Sequence, residues 1–358
     1  MNLRIPGPIP VPDDILEILS TQMINHRGPE FKELLYRVTE RLKTVFATQN
    51  DMFILSSSGT GGMEAAIANT LSIGDKVLCA SIGSFGNRFG EIAKRFGADV
   101  DMLNFEPGTS INIDVLEQTL NESKNLKAVL VTHNETNTGV TNNLKQVAKV
   151  VKKDPGRLLL VDGISSVCSI PLQADEWECD VVVSASQKGW MLPPGLAFIS
   201  FSPLAWKFND VSNMPRFYFD LIQYKSYYDK GQPPWTPALS IIFALDKALE
   251  QIITEGMENV YSRHSSIANK VRNGITQIGL TLFPDISVAS NTVTAVKSPE
   301  GLDADMLRKQ IQKEHNVVLA GGYGPQQGKI FRIGHLGYVK PKEIDETIDA
   351  IDLTLKSF

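Results

Sequence analysis

The sequence predicts an α/β protein in which a mostly parallel sheet carries helices on both faces and a smaller α+β unit follows. Three observations predict it. Apolar runs of strand length recur, helical segments separate most of them, and the alternation stops after about residue 202. Strands that are apolar at every position are buried on both faces, and strands alternating with helices run parallel with right-handed crossovers.

The elements follow in order. Residues 1–12 hold four prolines (Pro6, Pro8, Pro10, Pro12) and Gly7, so this stretch is extended and poor in backbone donors. Its apolar residues favour an arm laid on another surface over a loose tail. Asp13 reads as the cap of a short helix running to about Gln22. Helical periodicity covers Phe31 to Ala47 and, after the Gly-rich turn Ser58-Gly59-Thr60-Gly61-Gly62, Met63 to Leu71. Strand-like runs stand at Val77–Ala80, Ala128–Val131, Leu158–Val161, Val181–Val183 and Leu196–Ile199, with helices near 86–96, 113–122 and 142–153. Residues 203–236 are rich in aromatics and proline and read as irregular. Two helices follow, near 237–254 and 256–278. The remainder reads as strands near 292–297, 317–319 and 329–334 with helices near 303–315 and 341–356. The chain therefore divides into an N-terminal arm (1–20), a large domain (21–255) and a small C-terminal domain (256–358).

Composition bounds the function. A chain of 358 residues suits two domains, and 42% hydrophobic with 21% charged residues is the balance of a soluble globular protein. A net charge of −5 without a dense Lys/Arg stripe argues against a nucleic-acid partner. Cys79, Cys168 and Cys179 lack CxxC spacing and sit in or beside apolar runs, as small core residues of a reducing compartment do. The five histidines (His26, His133, His264, His315, His335) show no metal-ligand spacing, so no metal is expected. The N-terminus has no signal-peptide h-region, and no apolar run approaches the ~20 residues that span a bilayer. The cytoplasm is the expected location.

Four features carry chemistry. Ser57-Ser58-Gly59-Thr60-Gly61-Gly62 precedes a helix; glycines permit close backbone approach, and the helix N-terminus supplies free N–H groups. It suits a phosphate, but a plain Gly-rich turn has the same pattern, and neither the P-loop lysine nor GxGxxG is present. Asp162 ends an apolar strand, where ligands of parallel sheets bind. It either pairs with a cation, such as a protonated pyridine nitrogen, or caps the segment after it. Lys188, in Ser184-Ala185-Ser186-Gln187-Lys188-Gly189, leaves a buried strand. It is either a surface lysine or a poorly solvated amine whose lowered pKa favours attack on an aldehyde. Arg332, in Phe331-Arg332-Ile333-Gly334, stands in an apolar strand and needs either an internal counter-ion or a substrate carboxylate.

In this order the motifs resemble class V aminotransferases of the alanine/serine–glyoxylate aminotransferase group, within the fold-type I enzymes that use pyridoxal 5′-phosphate. The resemblance runs from Pro6-Gly7-Pro8 to Arg332 and beyond. It is carried by Val161-Asp162-Gly163-Ile164-Ser165-Ser166, by Ser184 to Gly195 (SASQKGWMLPPG) and by Thr132 to Val140 (THNETNTGV).

The resemblance implies a seven-stranded-type sheet and a set of roles. Lys188 holds the cofactor as a Schiff base and shuttles the proton in the reaction. Asp162 pairs with the pyridine nitrogen. Ser58, Gly59 and Thr60, with Gln187 near them, take the phosphate. Phe85 stacks on one face of the ring, where Trp is frequent in the group, and Ile164 packs on the other. Asn137 reaches the cofactor region near the phenolic oxygen. Arg332 holds the substrate α-carboxylate. Thr236 matches a threonine lent to a neighbouring subunit's phosphate site, which implies a homodimer with shared active sites. Pro233 stands where relatives commonly have Tyr, which puts that one contact in question, with Tyr227 or Tyr228 as possible substitutes. The implied reaction moves an amino group from a small donor, alanine or serine, to a 2-oxo acid, glyoxylate or pyruvate. Specificity would lie in loops near Pro6-Gly7, Tyr323 and His335 and in the neighbour's residues 215–236. Alternatives are a related transaminase acting on ureidoglycine or an aminophosphonate, or a non-catalytic subunit of a larger complex. A cysteine desulfurase is disfavoured because no cysteine follows Cys179 and Gln187 stands where that group commonly has His.

Overall fold

The computed structural model describes residues 1–358. The chain begins with β1 (Asn2–Arg4), α1 (Asp13–Ile18), α2 (Pro29–Phe46) and β2 (Asp51–Ser57). Next come α3 (Gly59–Thr70), β3 (Lys76–Ser81), α4 (Ser84–Arg95), β4 (Asp99–Asn104), α5 (Ile113–Glu122) and β5 (Ala128–Thr132). A hairpin of β6 (Asn134–Glu135) and β7 (Val140–Thr141) precedes α6 (Leu144–Val151), β8 (Leu158–Asp162), β9 (Val181–Ala185) and β10 (Gly195–Phe201). Helices α7 (Pro203–Asn209), α8 (Leu221–Tyr228), α9 (Leu239–Glu255) and α10 (Met257–Gln277) follow. The chain ends with β11 (Val293–Lys297), α11 (Ala304–His315), β12 (Val317–Gly321), β13 (Ile330–Gly334) and α12 (Pro341–Leu355).

The large sheet has seven strands in the order β2-β10-β9-β8-β5-β3-β4. Only β10 is antiparallel to its neighbours; the other pairings are parallel. Two reversals return β2 to the direction of β9, so every strand except β10 ends at the same edge. Strands β5, β8 and β9 are buried at every residue, as their unbroken apolar runs require. One face of the sheet packs against α2, α6 and α9, and the other against α3 and α4. Each Val or Leu taken fully from water contributes about 1.5–3 kcal/mol, so the central strands anchor the edge where they end. No helix is long and apolar enough to cross a membrane.

The second sheet has the order β1-β12-β13-β11, with α10, α11 and α12 over it. Here the N-terminal arm rejoins the chain. Strand β1 pairs in parallel with β12, Asn2 opposite Val317, so an element from the start of the sequence edges the C-terminal sheet.

Several local expectations need correction. Helix α1 stops at Ile18, and its N-cap is Pro12 without a side-chain cap bond, so Asp13 lies in the first turn. Beyond Leu19 the residues are mostly exposed and offer no apolar face to bury, so propensity alone does not sustain the helix. The stretch 203–236 contains α7 and α8. Ser202 Oγ accepts from the Ala205 N–H at 3.1 Å, Pro203 opens α7, and Asp220 caps α8 at the Ile222 N–H (3.2 Å). Strands β2 and β4 are additions to the strands expected from the sequence. Strand β4 is an edge strand with no buried residue, so it carries no apolar run.

Candidate active site

The edge where the strands end gathers the predicted residues. Asp162 is the last residue of β8, Lys188 follows β9 by three residues, and Ser58 to Thr60 span the junction of β2 with α3. Phe85 sits in the first turn of α4, directly after β3. Ser58, Gly59, Thr60, Phe85, Asp162, Ile164, Gln187 and Lys188 line one cavity, with Met63, Arg88, Asn134, Thr136 and Ser165. It offers about 110 Å³ to the centre of a water molecule. A second cavity, of about 550 Å³ by the same measure, shares Phe85, Thr136 and Lys188 with the first. Its other walls include Arg332, Tyr323 and the arm residues Ile5, Pro6 and Gly7. Lys188 therefore stands between two chambers.

Three charges define the electrostatics. Asp162 is 4% exposed and accepts from the Ile164 N–H (3.0 Å) and Thr132 Oγ1 (3.3 Å), without a cation in ion-pair contact. Burial pushes its carboxyl up to about 6, against the pull of these donors and of Lys188. Burial pushes the Lys188 amine down to about 8, and Asp162 offsets part of that fall. The Lys188 Nζ donates to the Pro6 carbonyl. Gly7 makes that approach possible: its φ is +108°, and a Cβ there would lie 2.9 Å from Nζ. Arg332 is 3% exposed and donates Nε to the Gly321 carbonyl (2.7 Å) and Nη1 to the Thr136 carbonyl (2.9 Å). Its guanidinium lies 4.7 Å from the Tyr323 ring centroid and meets no carboxylate. A buried guanidinium bonded only to neutral groups at the wall of a chamber is built to receive an anion.

The first cavity fits pyridoxal 5′-phosphate. Asp162 is a buried carboxylate lacking a cation, which a protonated pyridine nitrogen would supply. Phe85 and Ile164 are both present to flank an aromatic ring. Gly59 makes room for Ile164, whose Cδ1 would lie 2.5 Å from a Cβ at that position. The N-terminus of α3 presents unpaired N–H groups beside Ser58 and Thr60, a ready anion site. Gln187 has a buried Oε1 with no hydrogen-bond partner in the protein, and the same amide turned over would present its NH₂ as a donor to a phosphate oxygen.

Other residues are placed elsewhere. Asn137 lines neither cavity; its side chain donates to Ser84 Oγ (2.9 Å) and the Tyr323 carbonyl (3.3 Å) and accepts from the Tyr323 N–H (2.8 Å). Thr236 is exposed and lines neither cavity of its own chain. His133 and His335 are buried away from both chambers; His133 packs edge-on to Trp177, and His335 Nε2 pairs with Thr294 Oγ1 at 2.9 Å. No group of three or more His, Cys, Asp or Glu side chains is placed to hold a metal ion. The sequence assigns no role to Arg88, Asn134, Thr136 or Ser165 in the walls, nor to Glu135 behind them, although all but Arg88 lie in the stretches that carry the resemblance. The available clue was the unbroken polar run Thr132 to Thr138 directly after the apolar strand Ala128–Val131; the structure buries all of it.

The family model for aminotransferase class-V matches residues 18–332. A serine–glyoxylate aminotransferase from Methylorubrum extorquens is 38% identical over 99% of this chain and 90% of its own length. A protein of Synechococcus sp. (strain PCC 6716) named soluble hydrogenase, small subunit, is 40% identical over 99% of this chain and 92% of its own length. Among solved structures, alanine–glyoxylate aminotransferase from Nostoc sp. superposes with a TM-score of 0.95 at 30% identity, covering 99% of this chain and 94% of that one. Sequence, fold and the paired chambers agree: this chain belongs to the class V aminotransferases, fold-type I enzymes that depend on pyridoxal 5′-phosphate.

Proposed function

We propose that this aminotransferase moves an amino group from a small amino acid, alanine or serine, to a small 2-oxo acid, glyoxylate or pyruvate. The two substrates use one chamber in turn. The observation that carries amino transfer is Arg332, a buried guanidinium without a carboxylate, in a chamber joined to the cofactor cavity through Lys188; the choice of a small donor is supported by similarity to serine– and alanine–glyoxylate aminotransferases.

Bound pyridoxal 5′-phosphate supplies an electrophilic carbon and an electron sink. The protein's residues do the rest. Arg332 fixes the α-carboxylate of donor and acceptor alike, so their reacting carbons occupy the same place. Lys188 would hold the cofactor through its amine, and the same amine, once free, would take the proton from the donor's Cα. A lysine lowered to about 8 keeps a useful neutral fraction near neutral pH. Asp162 holds a proton at the ring nitrogen. Phe85 and Ile164 fix the plane of the ring, and Ser58, Gly59, Thr60 and Gln187 hold the phosphate. Ile5, Pro6 and Gly7 form one wall of the chamber.

The functional unit is a homodimer in which Thr236, exposed in the single chain, reaches the neighbour's phosphate site. The absence of a helix suited to cross a membrane accords with a cytoplasmic enzyme. A non-catalytic subunit would have no need of Lys188, Asp162 and Arg332 around joined chambers. The test is the half-reaction of the cofactor-loaded protein with alanine, serine, aspartate and ureidoglycine, followed by cofactor absorbance. Alanine or serine should bleach it, and Lys188→Ala should abolish turnover. A fully active Lys188→Ala protein, or a loaded protein that no amino acid bleaches, would overturn the reading.

A further inference from the structure

We propose that Glu135 is a positioning residue for the reaction, tying the ring wall at Phe85 to the carboxylate clamp at Arg332; this rests on the amino-transfer reading above.

Glu135 is fully buried. Its Oε2 accepts from the backbone N–H groups of Phe85 (2.8 Å) and Gly86 (3.2 Å), and its Oε1 from that of Asn137 (3.0 Å). Helix α4 has no cap of its own, because its N-cap residue is Gly83. Gly83 suits that place: a Cβ there would lie 2.6 Å from Glu135 Cγ. Glu135 thus caps α4 from fifty residues further along the chain, setting a carboxylate where the free N–H groups and the helix dipole favour one. The Phe85 backbone is held directly, and its ring is flanked by the Arg88 guanidinium at 4.8 Å and the Tyr323 ring at 6.4 Å.

The other carboxylate oxygen holds the turn that meets the small domain. Asn137 grips both backbone groups of Tyr323. Thr136, between Glu135 and Asn137, gives its carbonyl to Arg332 Nη1 at 2.9 Å. One carboxylate therefore binds the N-terminus of α4 at the ring wall and, through the Asn137 N–H, the turn whose Thr136 carbonyl meets the substrate clamp. Burying a carboxylate with no cation in ion-pair contact is expensive, and an apolar side chain would fill the space without that penalty. What an apolar side chain lacks is the ability to bind both α4 and the 136–137 turn.

The experiment compares Glu135→Gln with Phe85→Ala, their double variant and a remote control, Thr354→Ala in α12. Glu135→Gln keeps the shape but turns an NH₂ toward one of the N–H groups, so one side of the link is lost. The readouts are the cofactor dissociation constant, the visible circular dichroism of bound cofactor, and KM and kcat for the amino donor. Glu135→Gln should weaken cofactor binding about tenfold, change the dichroic band and raise the donor KM more than it lowers kcat. In the Phe85→Ala background it should weaken cofactor binding little further, because both changes act through one wall. Thr354→Ala should move none of these. The proposal is overturned if Glu135→Gln lowers only the thermal midpoint, as a plain helix cap would, or if the two cofactor losses add in full. Should Glu135→Gln not fold, Glu135→Asp replaces it, keeping the charge but falling one methylene short. Were no donor to react with the unaltered protein, amino transfer would fail as a reading, while the cofactor constant and dichroism would still decide whether Glu135 holds Phe85.

Discussion

Asp162→Asn separates stability from binding. In the cofactor-free fold the carboxyl stands at about 6 rather than 3.8, because burial outweighs its hydrogen bonds. At about 1.4 kcal/mol per pH unit, ionising it inside the fold costs about 3 kcal/mol. The folded pKa is raised, so between about 4 and 6 the folded state binds more protons than the unfolded state. The stability credited to the protonated form is present at lower pH and lost as pH rises through about 6. Asparagine keeps the shape and the acceptor for the Ile164 N–H, and it removes the buried charge. Urea denaturation of the cofactor-free protein should therefore find Asp162→Asn more stable than the unaltered chain by about 2–3 kcal/mol at pH 8, with the gap narrowing toward pH 5. The cofactor should respond the other way: losing its carboxylate partner should weaken binding by about 3 kcal/mol or more, a hundredfold at least. An Asp162→Asn protein that is less stable than the parent at pH 8, or that binds cofactor unchanged, would refute the placement of that charge.

Further outcomes follow from the same geometry. Arg332→Gln removes up to two charge-assisted hydrogen bonds of about 1.5–3 kcal/mol each, so kcat/KM for the donor should fall a hundredfold or more. Cofactor affinity should hold in that variant, and an unchanged donor KM would show that the carboxylate binds elsewhere. Gly7→Ala forces a left-handed backbone at φ +108° and crowds Lys188, so the rate of cofactor loading, measured by absorbance, should drop. Loading at the parent rate would show that the arm stands clear of the lysine in solution. Thr236→Val should weaken cofactor binding about tenfold through loss of one hydrogen bond to a charged group. Unchanged affinity would assign the borrowed contact to another residue.

The central strands, most of the helices, and Asp162 and Lys188 at the strand ends were legible in the sequence; α7 and α8 were not. An unbroken apolar run such as Leu158–Val161 has only a two-sided burial open to it, and a charged residue placed directly after it must stand at the sheet's edge. Local signals of this kind survive without knowledge of the fold. Strand β4 left no such mark, because an edge strand exposed along its length needs no apolar run. Helix α7 did leave one, Ser202-Pro203, within a stretch whose aromatics suggested irregularity.

The joining of parts distant in sequence was not legible. Strand β1 lies beside β12 because the arm completes an edge more than three hundred residues away. Lys188 meets the Pro6 carbonyl for the same reason. Glu135 looks like any acid in a polar loop until the fold brings the N-terminus of α4 to it, and Asn137 proves to be bonded to the Tyr323 loop rather than turned into either chamber. Residue types and strand ends by themselves determined only that a lysine and an aspartate follow buried strands and that an arginine lies within one, each with a structural role still open to it; amino transfer came from the resemblance of these motifs, in this order, to class V aminotransferases. Only the tertiary structure decided that Asp162 and Arg332 are buried without an ion-pair contact and open onto chambers that Lys188 joins, because burial and pairing are properties of what surrounds a charge.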